Sequence, residues 1–182
     1  MNVYKRITKK GLSVIIRYPK QSDLESIHRY FNTLSKERTY LSEQGEHISR
    51  SEHQKYLSDK LKRIQKKKTV WFLVFHNNTL IGSSTISLFD KRAFFHVGEF
   101  LISIARKYRG KGVGELLLKT VILESKKTLK SLKILILEVF GNNNTAINMY
   151  KKFGFKPYGK LPEGVLHRKK YVDDVLMYKR IR

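Results

Sequence analysis

The stretch Glu99–Leu118, EFLISIARKYRGKGVGELLL, decides how this chain is read. A short apolar run with strand character gives way to the basic, glycine-rich segment Arg109-Gly110-Lys111-Gly112-Val113-Gly114, which opens directly into an amphipathic helix. Glycines let a backbone approach a ligand closely. The free N–H groups of a first helical turn, with the positive end of the helix dipole, favour an anion. The stretch reads as a phosphate cradle, and the rest of the chain must say which phosphate.

Composition narrows the answer. The 182 residues read as one domain, 1–182, large enough to bury a core without covalent staples. With 41% hydrophobic and 29% charged residues the chain is globular, not disordered. It has no cysteine, which excludes disulfides, thiolate metal sites and a cysteine nucleophile. The excess of 38 Lys and Arg over 15 Asp and Glu, +23, admits nucleic acid, an acidic membrane surface or a polyanionic ligand as partner. Lysines occur in almost every segment and form no single stripe, so general lysine richness is the plainer reading. The run LSVII after MNVYKRITKK is too short for a signal-peptide core and is closed by Arg17. No window approaches the roughly 20 apolar residues of a membrane span, so the expectation is a cytoplasmic protein with no membrane partner.

Outward from the glycine turn, the pattern is mixed. Leu12–Tyr18 reads as a first strand ended by Pro19, and Ser22 and Asp23 offer N-caps to a helix carrying Leu24, Ile27, Tyr30, Phe31 and Leu34. Ser49 or Ser51 can cap a long basic helix reaching about Lys66. Thr69–Phe75 and Leu80–Phe89 form a hairpin, and Ala93–Ile104 is a fourth strand that completes an antiparallel meander. A helix from Val113 to about Leu129 follows the turn. Lys133–Phe140, apolar on both faces, reads as a fifth, central strand buried on both sides. A helix then carries Ala146, Ile147, Tyr150 and Phe153, with Gly154 at its C-terminus. Phe155–Lys160 is a strand, Gly159–Arg168 a loop with Pro162 and Gly164, and Tyr171–Ile181 the last strand. This order implies an α/β (α+β) fold: a mixed, mostly antiparallel sheet of six to seven strands with helices on both faces, its fourth and fifth strands parallel across a helical crossover.

Two familiar phosphate motifs fail at the turn. A P-loop needs Ser or Thr after Gly-Lys, and Gly112 stands there. A dinucleotide fingerprint needs a further glycine where Glu115 or Leu117 stands. What remains is Arg-x-x-Gly-x-Gly at Arg109, Gly112 and Gly114. That pattern resembles the GNAT family, the Gcn5-related N-acetyltransferases. A second segment, LEVFGNNNTAINMYKKFGF (Leu137 to Phe155), resembles the family's V-x-x-x-N-x-x-A-I-x-x-Y-x-x-x-GF at Val139, Asn143, Ala146, Ile147, Tyr150, Gly154 and Phe155, in the right order and separation.

The resemblance implies acetyl-coenzyme A as acetyl donor, no metal, and a splay between the fourth and fifth strands into which the pantetheine arm adds like an extra strand. It implies that Arg109, Gly110, Lys111, Gly112, Val113 and Gly114 hold the pyrophosphate, that the backbone of Ile102, Ser103 and Ile104 meets the arm, and that Asn143 and Ala146 flank it. Arg106, Lys107, Lys151 and Lys152 are candidates for the 3′-phosphate. Tyr150 matches the family's general acid. An attacking amine must lose a proton, so a base is useful. Glu138 is the first candidate, because it interrupts an apolar strand and matches the glutamate of ribosomal-protein alanine acetyltransferases; pairing with a nearby lysine is its plain alternative. Glu99 resembles the base of histone-type members, one residue out of register.

The expected reaction is direct acetyl transfer to a primary amine of a protein, peptide or small molecule. The alternative is a GNAT-like binding module that recruits nucleic acid or an acidic protein through its basic surface. Residues 31–57 and 161–171, which hold Glu46, His47, Glu163, His167 and Tyr171, would shape the acceptor pocket and are too mixed to name the acceptor. A homodimer stays open.

Overall fold

The computed structural model describes residues 3–181. Its strands are β1 (Val3–Ile7), β2 (Ser13–Arg17), β3 (Thr69–His76), β4 (Thr79–Leu88), β5 (Val97–Ile104), β6 (Ile134–Phe140), β7 (Lys156–His167) and β8 (Lys170–Arg180). They form one sheet in the order β1-β2-β3-β4-β5-β6-β8-β7. Every neighbouring pair is antiparallel except β5 and β6, which are parallel. Helices α1 (Leu24–Lys36) and α2 (Arg50–Gln65) pack on one face; α3 (Val113–Thr128), which makes the β5-to-β6 crossover, and α4 (Asn144–Lys152) cover the other.

The sequence accounts for most of these elements. The run Thr69–Phe75 is buried along its whole length, as expected for a central strand sandwiched by helices. Its turn into β4 places Asn77 and Asn78 at φ +45° and +60°, the left-handed pair that a two-residue hairpin requires. Of the two candidate caps for α2, Ser49 is the one used: its hydroxyl accepts the Glu52 N–H while the Glu52 carboxylate accepts the Ser49 N–H, a reciprocal capping box. Trp71, Phe72, Phe100 and Phe155 are fully buried at the centre of the core.

Four expectations are corrected. The sheet has eight strands, not six to seven, because Val3–Ile7 adds as an edge strand; its largely exposed residues carry no inward-facing alternation to betray it. Residues 159–168 are not a loop but most of β7, an edge strand that accommodates Pro162 and Gly164 by an irregular register between Leu161 and Val165. The fourth predicted strand begins at Val97, not Ala93, after a 3₁₀ turn over Arg92–Phe94. Finally, β6 is buried on one face only: Leu135, Leu137 and Val139 point into the core, while Ile134, Ile136 and Phe140 are half-buried and Glu138 is exposed on the other face.

Asp23 does not cap α1 with its side chain. It accepts two hydrogen bonds of 2.7 Å from the Arg17 guanidinium and a third from the Lys20 N–H, locking the end of β2 to the start of α1. Burial opposes its ionised form, but the bonds from Arg17 and Lys20 outweigh burial and hold its carboxyl below the usual range. Asp23→Ala removes the counter-charge of a half-buried guanidinium, leaving it the Tyr18 carbonyl as acceptor, and is expected to cost about 2–3 kcal/mol in urea unfolding at pH 7. Because the folded pKa is lowered, the contribution is complete above the unfolded value of about 3.9 and is lost as pH falls through the folded one. Variant and wild-type stabilities should therefore converge in strong acid.

Candidate active site

The sheet is open in its middle. β5 and β6 pair at only three positions, Val97 with Ile134, Gly98 with Leu135 and Glu99 with Ile136, after which the two strands run on without ladder pairing to Ile104 and Phe140. This is the parting expected between the fourth and fifth predicted strands. Phe89 N–H bonds to Val97 O and Ala105 N–H to Ile81 O, so the odd-numbered residues of β5 turn their backbone groups toward β4. By alternation, Ile102 and Ile104 turn theirs into the gap, while Ser103 faces β4 with its backbone.

At the end of this open edge lies the glycine turn. Gly110 and Gly112 sit at φ +69° and +78°, a conformation that side-chain-bearing residues adopt only under strain, and a Cβ at Gly110 would meet nothing within 4 Å. Gly114 is different: its conformation is ordinary, and the missing Cβ leaves room beside Met149 of α4. Backbone bonding resumes only at Leu116 N–H, 3.2 Å from Gly112 O. The N–H groups from Gly110 to Glu115 thus have no acceptor among the described residues, and they cluster at the positive end of α3. Val113 is buried and anchors the helix; Lys111 Nζ lies 5.4 Å from the Tyr108 ring centre. Arg109 points elsewhere than the sequence suggests. Its Nε donates to Ile104 O at 2.8 Å and its two terminal nitrogens to Thr39 Oγ1 and Glu37 Oε2, at 3.3 and 2.5 Å.

Across the gap, α4 presents Asn143, Ala146 and Tyr150. Asn143 caps the helix, its Oδ1 accepting the Ala146 N–H at 3.2 Å. Tyr150 is buried against Phe100 and Phe155, on the α3/α4 face of the sheet. Its hydroxyl has no hydrogen-bond partner among the described residues, and burial raises its pKa, so the phenol keeps its proton at neutral pH.

The two candidate bases lie on the opposite face, under α1 and α2. Glu99 is level with Ile136, Glu138 is two residues further along β6, and Asp174 of β8 sits opposite Phe140, all with side chains on one face by register. The Glu138 carboxyl is raised above its usual range by burial and by the negative charges of Asp174 and Glu99. Burial also raises Asp174. None of the three makes an ion pair among the described residues, although cations outnumber acids 38 to 15. The lysine-paired alternative for Glu138 is therefore not what the structure has. Tyr56 of α2 belongs to the same face, its phenol pushed up to about 12 by burial and by Glu43 and Glu99.

Asp174 was missed in the sequence, where it is one of two adjacent aspartates; its neighbour Asp173 pairs with Lys160, and only register tells the two apart. Of the expected acceptor-side residues, His167 comes closest to the gap, packed on Tyr40 and Phe140 and accepting from the Asn142 side chain at 3.0 Å. Glu163 lies at the outer bulge of β7, where its N–H bonds to Asp173. His47 lines a separate cavity of about 290 Å³ along α1 with His28 and Arg29. Lys152 pairs with Glu115 of α3 at 2.8 Å. Among the described residues no group of His, Asp and Glu is placed to hold a metal ion, and no helix is long and apolar enough to cross a membrane.

Residues 29–155 match the family model described as the acetyltransferase (GNAT) family. The L-amino acid N-acetyltransferase of Escherichia coli (strain K12) is 31% identical over 98 residues, covering 54% of this chain and 60% of that protein. The chain spans about 60% of the length of the curated relatives it matches. A GNAT-family acetyltransferase structure from Streptococcus pneumoniae superposes with a TM-score of 0.84 at 26% identity, over 93% of this chain and 99% of the other. Spermidine N-acetyltransferase from Vibrio cholerae, in complex with CoA and spermine, superposes with a TM-score of 0.74 at 25% identity, over 92% and 95%.

The acidic face makes a titration prediction that does not depend on any ligand. Asp174→Asn removes one of the charges that raise Glu138, so the Glu138 carboxyl, followed by NMR against pH, should titrate at a lower pH than in the wild type. An unchanged midpoint would show that the two carboxylates do not interact.

Proposed function

Since the chain belongs to the acetyltransferase (GNAT) family, we propose that it moves an acetyl group from acetyl-coenzyme A directly to a primary amine on a cationic acceptor. The observation that carries this reading is the parted strand pair, with a donor-rich glycine turn at its end and three unpaired carboxylates on one face. The turn fits a pyrophosphate: six consecutive N–H groups without acceptors, open space at Gly110 and a helix N-terminus. The edge of β5 fits an extended amide-bearing arm through the backbone of Ile102 and Ile104, with Ser103 between them. The side chain of Asn143, already spent in part on Ala146, keeps its amide hydrogens for the same arm.

Acetyl-coenzyme A supplies the thioester acetyl group when bound. Glu138 would take the proton of the incoming ammonium, with Glu99 as the second candidate, so that the nitrogen attacks as a free amine. Tyr150, held protonated by burial, would give its proton to the sulfur that leaves as the new N–C bond forms and the C–S bond breaks. Glu138 and Asp174, without an ion pair among the described residues in a chain of net charge +23, favour an acceptor that brings its own positive charge, while Glu99 on the same face has the Lys60 ammonium, bonded to Ser87 opposite it, within electrostatic reach. An amine with more than one ammonium group, such as a polyamine, fits that face better than a neutral amine does. The matched acetyltransferases named above act on amino acids or polyamines by their names, and the alternative of a nucleic-acid-binding module has no feature of this site to support it. A cytoplasmic location, where acetyl-coenzyme A is available, goes with the proposal.

Acetyl-coenzyme A at about 100 times its Kd should raise the melting temperature by about 5–10 °C, as binding to the folded state alone demands. Gly112→Glu, which puts a strained backbone and a negative charge into the turn, should abolish that shift. No shift for the wild type at millimolar coenzyme would sink the proposal. In a thiol-release assay with a polyamine pool, Tyr150→Phe should lower kcat about 10–100-fold and leave the coenzyme Kd within about twofold. An equal kcat would remove Tyr150 from the acid role.

A further inference from the structure

Beyond Glu99, the open half of β5 loses its neighbour on one side, and α1 replaces it from the other face of the sheet. The buried Tyr30 hydroxyl donates to Ser103 O at 2.9 Å and lies 3.0 Å from Ser103 Oγ. Seven residues on, two turns of helix, Glu37 closes α1 and reaches the segment after β5. One carboxylate oxygen accepts the Arg106 N–H at 3.3 Å; the other takes the Arg109 guanidinium at 2.5 Å. The Glu37 side chain is only 14% exposed, so this is not a solvated surface pair, and Arg109 at 37% is half-open to the turn.

The arrangement fixes the beginning of the anion-binding turn at two points. Arg106 is held through its backbone. Arg109 is held through its side chain, which lies back along the chain and hands its Nε to Ile104 O, the last carbonyl of the open edge. Three of the five guanidinium N–H groups are committed to protein, leaving one on each terminal nitrogen. The adjoining segment, Gly110 to Gly112, has two left-handed glycines and N–H groups without acceptors among the described residues, and ordering such a segment costs about 1–2 kcal/mol per residue. A clamp that orders it before any ligand arrives removes part of that cost from binding.

We infer that Glu37, at the end of an acceptor-side helix, is a positioning residue for the coenzyme turn: it acts through Arg109 and the Arg106 N–H to hold the turn in the shape that presents its N–H groups. The inference rests on the reading of that turn as the coenzyme site. Glu37 itself touches neither the turn's free N–H groups nor the candidate acid and bases.

The test is coenzyme A binding by calorimetry together with steady-state kinetics on the full chain. Glu37→Ala is expected to raise the coenzyme A Kd and the KM for acetyl-coenzyme A about tenfold while kcat falls less than threefold. Glu37→Gln keeps an oxygen for one of the two donors and should recover part of the loss; it also serves if the alanine variant folds poorly. Because part of the Glu37 effect runs through Arg109 and part through the Arg106 N–H, the loss in the double variant Glu37→Ala/Arg109→Ala should be clearly smaller than the product of the two single losses. Equal affinity of wild type and both Glu37 variants, or fully additive losses in the double variant, overturns the inference and leaves the coenzyme reading intact. Failure of the wild type to bind coenzyme A overturns both.

Discussion

A parallel ladder that stops after three residue pairs is the constraint on which the rest of this molecule depends. Backbone N–H and C=O groups in the middle of a sheet are normally paired, and leaving one buried and unpaired costs about 1–3 kcal/mol. Here β6 turns away from β5 after Ile136, so Ile102 and Ile104 face a gap in the centre of the fold. Such an edge persists only if other parts of the structure hold the strands apart and if the exposed groups can be used. Both conditions are met. Phe100, Tyr150 and Phe155 form an aromatic wedge under the parting, α1 braces β5 from above through Tyr30, and Arg109 already occupies one side of the Ile104 carbonyl.

The local chemistry of the site was legible in the sequence because it is written in backbone requirements. Gly112 is glycine because the residue before α3 stands at φ +78°, and Asn143 is asparagine because its side chain caps α4. Such features span a few residues and leave a readable pattern. The parting of the strands was readable only through resemblance, since nothing in FLISI or ILILEVF by itself announces where a ladder ends.

The features that escaped the sequence lie at the edges and across strands. Val3–Ile7 and residues 159–167 are edge strands, and an edge strand needs neither an apolar face nor freedom from proline. The reading of Lys133–Phe140 as buried on both sides failed because Ile134, Ile136 and Phe140 are apolar yet border the open face. The grouping of Glu99, Glu138 and Asp174 is a product of register among β5, β6 and β8, and the Glu37 to Arg109 pair joins residues 72 positions apart. Neither leaves any local trace.

The net charge of +23 gains meaning from where the acids are not neutralised. Eight of the acids, Asp23, Glu25, Glu37, Asp59, Asp90, Glu115, Asp173 and, through two tyrosine hydroxyls, Glu124, are satisfied by partners. Glu99, Glu138 and Asp174 are instead gathered where burial and mutual repulsion push Glu138 toward the protonated form. The opposite arrangement holds at the turn after β5, where N–H groups without acceptors among the described residues gather with Lys111 at the start of α3. In the proposed reaction the open strand edge lies between an acidic face, which suits a cationic acceptor, and a turn of unpaired N–H groups, which suits the coenzyme's phosphates.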